Sequence, residues 1–340
     1  VWLSEIMLQQ TQVETVIPGM NAARVVKGFL RKTVRHGLLD LLAGGRRLRG
    51  RLHVSAETPL VQILLLHALR AGEEPHFRRL LGTLAERYTF LSYSEAVRRI
   101  CSGEIDRPYL TLSFDDGRSS CLTAAEIMAE FGASACFFVC PTLLAETDPA
   151  KISDFCRDRL LIPPDRFLAW NDLESLVSGG HEIGSHALRH LVMKELSSAQ
   201  LQEELGESRR ALRSHLGQGR HFAWPYGRFH HFSPLAFREV FRVGYESCAS
   251  AERGCHSAHD GNAGRAICLR RDNCEAGWPL SHTLYFLCRN ADAPLAPDES
   301  WPAAHDSFME GGTAGAHPCL SVSCPSGTAS LGARRGGVAG

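Results

Sequence analysis

The chain has 340 residues, and its 37 Lys and Arg balance 37 Asp and Glu, so the formal net charge is zero. With 44% hydrophobic and 22% charged residues it has a globular composition, which excludes a largely disordered chain, a collagen-like repeat and a coiled coil. No apolar run approaches the roughly 18 residues that span a bilayer, and zero net charge provides no global attraction to nucleic acid.

Residues 1–19 form a short, mostly uncharged segment, and Met20 is the expected native start. The segment lacks the basic start and unbroken apolar stretch of a secretory signal. The 12 cysteines include no CxxC pair, so neither a zinc ribbon nor a thioredoxin motif is indicated. These observations favour a cytoplasmic protein with free thiols.

Residues 20–58 form a basic N-terminal segment. From Arg24 to Arg51 there are nine Lys or Arg and one acid, Asp40, interleaved with apolar residues. This pattern predicts an amphipathic helix, broken at Gly44 and Gly45. The favoured interpretation is a solvated helix packed on the main domain. The alternative is peripheral contact of 24–51 with an anionic membrane surface, which would be the inner membrane face.

Residues 59–290 alternate short apolar runs with longer helix-like segments, a pattern typical of an α/β fold. The predicted strands are Val61–His67, Tyr109–Phe114, Ala135–Val139, Glu182–Ser185, His221–Trp224, Tyr245–Ala249 and Ala266–Arg270. The clearest predicted helices are Ser119–Phe131, Ala169–Ser178, Ser197–His215 and Pro234–Phe241. Residues 291–340, rich in Ala, Gly, Pro and Ser, are predicted to be mostly disordered.

Two adjacent carboxylates, Asp115 and Asp116, follow an apolar strand and precede Gly117. At the carboxyl end of a strand both can reach into one cleft. Adjacent acids repel unless a cation or a proton offsets their charge, so one Asp can bind a metal while the other takes a proton from water. The alternative is an ordinary turn, because Asp-Asp-Gly is common in turns.

His186 and His190 are four residues apart. On a helical turn this spacing places two imidazoles on one face, where both can bind one divalent ion. With one Asp they form a three-ligand set that leaves positions for water and substrate, as in catalytic sites. Chance pairs are expected among 16 histidines, but Gly180 and Gly184, around the preceding short strand, favour the metal interpretation.

Two further strand ends carry candidate site residues. Trp224, Pro225 and Tyr226 are candidate substrate-binding residues, because a Trp ring stacks on sugars and Tyr226 with backbone N–H groups can cradle an oxyanion. His67 ends the run Val61–Leu66 at a position equivalent to that of the Asp pair. A lone histidine in this context is more often structural than catalytic.

In their order along residues 60–290, these features resemble the polysaccharide deacetylase (NodB-homology) family of carbohydrate esterases. The segments Leu110–Gly117, Gly184–His190 and Phe222–Gly227 look like three successive motifs of that family. The strand that ends in His67 resembles a branch of the family in which a histidine near the start supplies the general acid. The resemblance implies a distorted (β/α) barrel of about seven strands.

The resemblance also implies a set of roles. A divalent metal would be held by Asp116, His186 and His190, Asp115 would be the general base and His67 the general acid. Zn²⁺ is the first expectation, with Ni²⁺, Co²⁺ or Mn²⁺ as alternatives. The expected reaction is removal of an acyl group, N-acetyl first, from a glycan or lipid-linked saccharide through cleavage of a linear amide or ester bond.

Three residues depart from the family pattern. Ala187 stands where Ser or Thr is usual, and Leu66 where the branch has Tyr. Ala223 stands where an Arg usually orients the catalytic Asp, so that support must come from elsewhere or be absent. This departure leaves a catalytically inactive, carbohydrate-binding relative as an alternative.

Residues 1–18 resemble adenine-specific mismatch DNA glycosylases, with Glu5 matching their catalytic acid. That activity would also need a helix-hairpin-helix, a catalytic Asp and an iron–sulfur cluster, and the chain has no CxxC pair for the usual cluster spacing. A DNA-repair glycosylase fragment is therefore the alternative from another class. The preferred interpretation of residues 1–19 is a fused or chimeric remnant, with no nucleic-acid partner.

Overall fold

The computed structural model describes residues 22–257 and 268–292, with side chains from Thr33 onward. The predicted remnant at 1–19 lies outside the described residues, as does the predicted disordered tail beyond Asp292. The predictions for these two segments therefore stay predictions.

Ten strands form a single sheet in the described part of the chain. They are β1 Leu60–Leu66, β2 Thr89–Phe90, β3 Pro108–Phe114, β4 Ala135–Val139, β5 Glu182–Ser185, β6 His221–Ala223, β7 Ser247–Ala249, β8 His256–Ser257, β9 Cys268–Leu269 and β10 Asp272–Asn273. The hydrogen-bonded order is β10-β1-β3-β4-β5-β6-β7-β9, and every neighbouring pair along it is parallel.

The sheet curls into a distorted barrel with helices outside it. Only Arg270 and Arg271 separate β9 from β10, so the two ends of the strand order are joined by two residues of chain. All residues of β1 and β3 are buried, as expected for parallel strands covered on both faces. The predicted fold class is confirmed.

Ten α-helices and one π-helix accompany the strands in the described residues. They are α1 Ala22–Leu48, α2 Glu74–Ala85, α3 Tyr93–Ser102, α4 Cys121–Ala129, α5 Pro141–Leu144, α6 Pro149–Phe155, the π-helix Cys156–Leu160, α7 Trp170–Ser178, α8 Ser198–Leu216, α9 Pro234–Val243 and α10 Leu280–Asp292. Within the described range, none of these helices is long and apolar enough to cross a bilayer.

Helix α1 is longer than the sequence predicted. It continues through Gly44 and Gly45 to Leu48, so the predicted break is wrong. Each glycine disfavours a helix by only about 1 kcal/mol relative to Ala, and tertiary packing readily overrides that cost. The packing here is against α10, where Leu39 and Ala43 are buried.

Gly184 of β5 leaves room for side chains of the neighbouring strand β4. A Cβ added at Gly184 would lie 2.5 Å from the Phe138 ring and 3.0 Å from Cys136 Sγ. We expect Gly184→Ala to lower the free energy of unfolding by about 1–3 kcal/mol, the usual cost of overpacking a core.

The matched control is Gly206→Ala in α8, where nothing lies within 4 Å of an added Cβ. The control should raise that free energy by about 0.4–1 kcal/mol. Urea unfolding measures both, and equal effects would contradict the close-contact explanation.

Candidate active site

The candidate site residues meet at the carboxyl ends of the parallel strands. Asp115 and Asp116 follow β3, His186 follows β5 and His67 follows β1. All four line one cavity, together with His190. The fold therefore brings together side chains that are separated by more than a hundred positions in the sequence.

Asp116, His186 and His190 present a compact set of metal donors. Their ligand atoms all lie within 4.8 Å of one another, and all three residues are buried. Asp116 Oδ1 lies 3.7 Å from His186 Nε2 and 3.5 Å from His190 Nε2. Ligands that bind a tetrahedral ion through bonds of about 2.1 Å lie about 3.4 Å apart. The donor set therefore fits one divalent metal ion.

A backbone contact fixes the orientation of His186. Its Nδ1–H donates to the Ala223 carbonyl oxygen at 2.8 Å, which leaves Nε2 toward Asp116. Burial lowers the pKa of His186 to about 4, against the opposing effect of Asp115. The imidazole is therefore neutral near pH 7, the form that binds metals.

The backbone that brings His186 and His190 together differs from the predicted one. The segment after β5 that carries both is irregular, so the expected helical turn is wrong. Ala187 and His190 adopt left-handed backbone conformations, with φ of 64° and 57°, and this folds the chain back on itself. The rings of His186 and His190 meet with centroids 5.0 Å apart.

Left-handed backbone conformations cluster at this site. Four of the five described non-glycine residues with positive φ are Asp116, Ala187, His190 and Tyr226. Such conformations cost about 1–3 kcal/mol each and persist where the surrounding structure enforces them, commonly at functional sites. The cluster is a second observation, independent of the donor distances, that favours a functional role.

Asp116 is ionised in this setting. Burial alone would raise its pKa, but the hydrogen bond with His190 and the nearby His67 hold that pKa well below its usual range. Its Oδ1 faces the two imidazoles, while Oδ2 lies 3.7 Å from the guanidinium of Arg118. One oxygen is thus placed for the metal, and the other is balanced by a cation.

Arg271 makes a bidentate contact with Asp115. This residue was not predicted from the sequence. Its Nη1 and Nη2 donate to the two oxygens of Asp115, each at 2.8 Å, and its Nε donates to the Ser250 carbonyl at 2.7 Å. Arg271 is fully buried. Burial alone would raise the pKa of Asp115, but the Arg271 guanidinium and His186 lower it below its ordinary value.

The contact between Arg271 and Asp115 supplies the support that Ala223 cannot give. A buried guanidinium orients Asp115 from the link between β9 and β10 instead of from the Phe222–Gly227 segment. Asp115 Oδ2 lies 4.0 Å from His186 Nε2, so the carboxylate sits beside the donor set. One sequence feature could have indicated Arg271: a pair of arginines directly after the apolar end of a strand.

His67 lines the cavity near both aspartates. Burial lowers the pKa of His67, while Asp116 and Asp115 act in the opposite direction and favour its protonated form. The sequence placed His67 correctly at a strand end, and the structure adds its proximity to the carboxylates.

The predicted substrate-binding residues separate into two groups. Tyr226 lines the cavity and meets the edge of His190 with ring centroids 4.8 Å apart. Trp224 is fully buried and stacks on Phe232 at 4.2 Å. Neither Trp224 nor the buried Pro225 is among the described residues that line the cavity. The expected aromatic wall is therefore wrong for Trp224, whose ring packs into the apolar core.

Comparisons with known proteins agree with this geometry. Residues 102–245 match the family model described as polysaccharide deacetylase. No curated protein matches the chain significantly.

Two solved structures are similar in fold. The deacetylase PplD of Streptococcus pyogenes, in complex with acetate, has 20% identity and a TM-score of 0.52 over 67% of this chain and 99% of PplD. IcaB from Ammonifex degensii has 17% identity and a TM-score of 0.54 over 71% of this chain and 100% of IcaB.

Proposed function

We propose that the chain is a metal-dependent hydrolase that removes an acyl group from a carbohydrate, because residues 102–245 match the polysaccharide deacetylase family model. The observation that carries this proposal is the approach of the Asp116, His186 and His190 donors to within 4.8 Å of one another. The ionised Asp115 beside them adds the base that hydrolysis needs. The PplD structure, solved with acetate, is consistent with an acetyl substrate.

We propose Zn²⁺ as the ion, with Co²⁺, Ni²⁺ and Mn²⁺ as alternatives, since two imidazoles and one carboxylate suit several first-row metals. When bound, a divalent ion would polarise the acyl carbonyl and lower the pKa of water. Asp116, His186 and His190 would hold it, and three protein ligands leave positions open for water and substrate.

Proton transfers are assigned to Asp115 and His67, which line the same cavity. Asp115 takes a proton from the attacking water, and Arg271 keeps that carboxylate ionised and oriented. The water oxygen bonds to the acyl carbon, the bond from that carbon to the sugar nitrogen or oxygen breaks, and His67 donates a proton to the leaving atom. Tyr226 borders the cavity and is placed to contact the sugar.

The alternative of an inactive carbohydrate-binding relative loses its main support. It rested on Ala223, yet Arg271 provides the guanidinium that Ala223 cannot. The glycosylase alternative rested on residues 1–18, which lie outside the described residues. Neither alternative has a described feature in its favour.

An acetate-release assay tests the proposal. The full chain would be loaded with Zn²⁺, Co²⁺, Ni²⁺ or Mn²⁺ and incubated with N-acetylhexosamine oligomers and, separately, with O-acetylated xylan. We expect acetate from the oligomers with at least one metal and none after chelation. Binding of the oligomers without acetate release, under every metal, would instead support the binding relative.

His67→Ala isolates the role of the general acid. We expect kcat to fall by about 10²–10⁴-fold for an amide substrate, because the leaving amine needs a proton. The loss should be smaller for an aryl ester, whose leaving group departs without protonation. Acetate or phenol release measures both, and an equal loss on the two substrates would contradict this role for His67.

A further inference from the structure

Helix α1 (Ala22–Leu48) has two different faces. One face packs on the barrel through the buried Arg35, Leu39 and Ala43. Arg35 lies over the Trp278 ring at 5.1 Å, and Asp40 bonds His282 of α10 at 2.7 Å. This face accounts for the attachment of α1 to the main domain, which the sequence interpretation favoured.

The opposite face is apolar and exposed. Val34 is 54% exposed, Leu41 76% and Leu48 92%. The three are seven residues apart, so they form one line along the helix. Gly37 and Gly45 lie on the same side, and a Cβ at either position would meet nothing within 4 Å. We call Val34, Leu41 and Leu48 the apolar stripe.

The apolar stripe is unusual for this molecule. It contains three of the four large hydrophobic side chains that are exposed in the described residues; the fourth is Leu161. Single exposed apolar residues are common on soluble proteins, whereas a line of them indicates a contact surface. In the described part of the chain, no other element covers these three side chains.

The surroundings of the stripe are basic. Arg47, Arg49 and Arg51 are exposed at its C-terminal end. Asp40 is the only acid between Ala22 and Arg51 in the sequence, and it is paired with His282. An apolar helix face with a cationic border matches the headgroup region of an anionic bilayer, and a second copy would oppose like charges at the same arginines.

The packing of α1 relates the stripe to the cavity. Asp40 contacts His282 near the start of α10, and Arg46 bonds Asp292 at its end, so the two helices run parallel. Because Asp40 lies beside His282, the helical residues before Arg35 extend beyond the first residue of α10. Each residue adds about 1.5 Å to this extension along the helix axis. Glu275, shortly before α10, lines the cavity, so this end of α1 lies on the cavity side of the barrel.

We propose that the apolar stripe of α1 docks on the surface of an anionic phospholipid bilayer, with the helix lying in the headgroup plane. The cavity then opens beside the lipid surface, where a saccharide carried by a lipid would be accessible. The docking goes beyond the proposed hydrolase function and does not depend on it.

Vesicle flotation with the full chain tests the proposal. The probes are vesicles of phosphatidylcholine alone and vesicles with about a third phosphatidylglycerol. The wild type should bind the anionic vesicles, and added salt should weaken that binding. The triple variant V34Q/L41Q/L48Q should bind them at least about tenfold more weakly, because it loses the apolar area that enters the interface.

Two further variants locate the contact. The variant R47Q/R49Q/R51Q should lose the preference for anionic over neutral vesicles. Leu161→Gln should bind like the wild type, because it removes the exposed large hydrophobic side chain that lies outside α1 in the described residues. Circular dichroism checks that every variant is folded, and substitution of exposed side chains should leave the unfolding temperature unchanged.

Several outcomes would overturn the proposal. Absence of wild-type binding to anionic vesicles would do so, as would equal binding to both vesicle types. Binding that survives V34Q/L41Q/L48Q would place the contact elsewhere. A wild-type dimer in light scattering that the triple variant dissociates, without vesicle binding, would assign the stripe to a second copy. Acetate release is not a readout here, so failure of docking and failure of the hydrolase function are distinguishable.

Discussion

Replacement of Asp115 by Asn is expected to lower kcat by about 10²–10⁴-fold, the usual contribution of a general base. The variant should still bind one divalent ion, because Asp116, His186 and His190 remain. It should also be less stable than the wild type, since Arg271 stays buried without its carboxylate partner. The measurements are initial rates of acetate release and metal content of the purified protein.

Replacement of Asp116 by Asn should impair a different step from replacement of Asp115. Asp116→Asn removes one metal donor, so we expect weaker metal binding and activity that partly returns when excess metal is added. The two variants are matched controls for each other, as they change adjacent carboxylates by the same isosteric substitution. Indistinguishable metal content and rates in the two proteins would contradict the separate roles.

Replacement of Arg271 by Met is expected to lower the free energy of unfolding by about 3–5 kcal/mol, because it leaves the Asp115 charge buried without a partner. It should also raise the pKa of Asp115, which Arg271 holds below its ordinary value. An ionised base is needed for proton transfer, so the acid limb of the kcat/KM profile should move to higher pH. Urea unfolding and a pH series measure the two effects.

Arg253→Met is the control for Arg271→Met. Arg253 is half-buried next to the barrel closure, and its ion pair is with Asp272, 3.4 Å away. This control should lower stability without moving the acid limb of the profile. Arg271→Lys should be intermediate between Arg271→Met and the wild type in both stability and the position of the acid limb. An ammonium retains the positive charge but loses the bidentate contact. An acid limb unchanged by Arg271→Met would reduce Arg271 to a purely structural residue.

Seven of the ten strands were predicted from the sequence, and the short strands β2, β8 and β10 were not. Ala135–Val139 and Glu182–Ser185 match the predicted boundaries, and the long buried strand β3 begins one residue earlier than predicted. Buried parallel strands have continuous apolar runs, which differ clearly from the polar loops around them. Helix α1 was less predictable, because the packing that overrides Gly44 and Gly45 involves α10, far away in the sequence.

The histidines that meet in the cavity were easier to predict from the sequence than the backbone geometry that brings them together. Spacing indicated His186 and His190, but their convergence depends on left-handed conformations at Ala187 and His190 that only tertiary contacts enforce. The contact between Arg271 and Asp115 spans 156 positions, and no local pattern encodes such a pairing. Trp224 was wrongly predicted to bind substrate, because the sequence of the chain does not reveal which side of the sheet the Trp224 ring faces.

Metal stoichiometry tests the central claim most directly. The full chain, stripped with a chelator and dialysed against Zn²⁺, would be analysed by atomic emission beside His186→Ala and His190→Ala. Three donors within 4.8 Å of one another predict one tightly bound ion per chain in the wild type and a clear loss of binding in both variants. A wild-type chain that retains no ion, or variants that retain it equally well, would contradict the claim that Asp116, His186 and His190 form a metal centre.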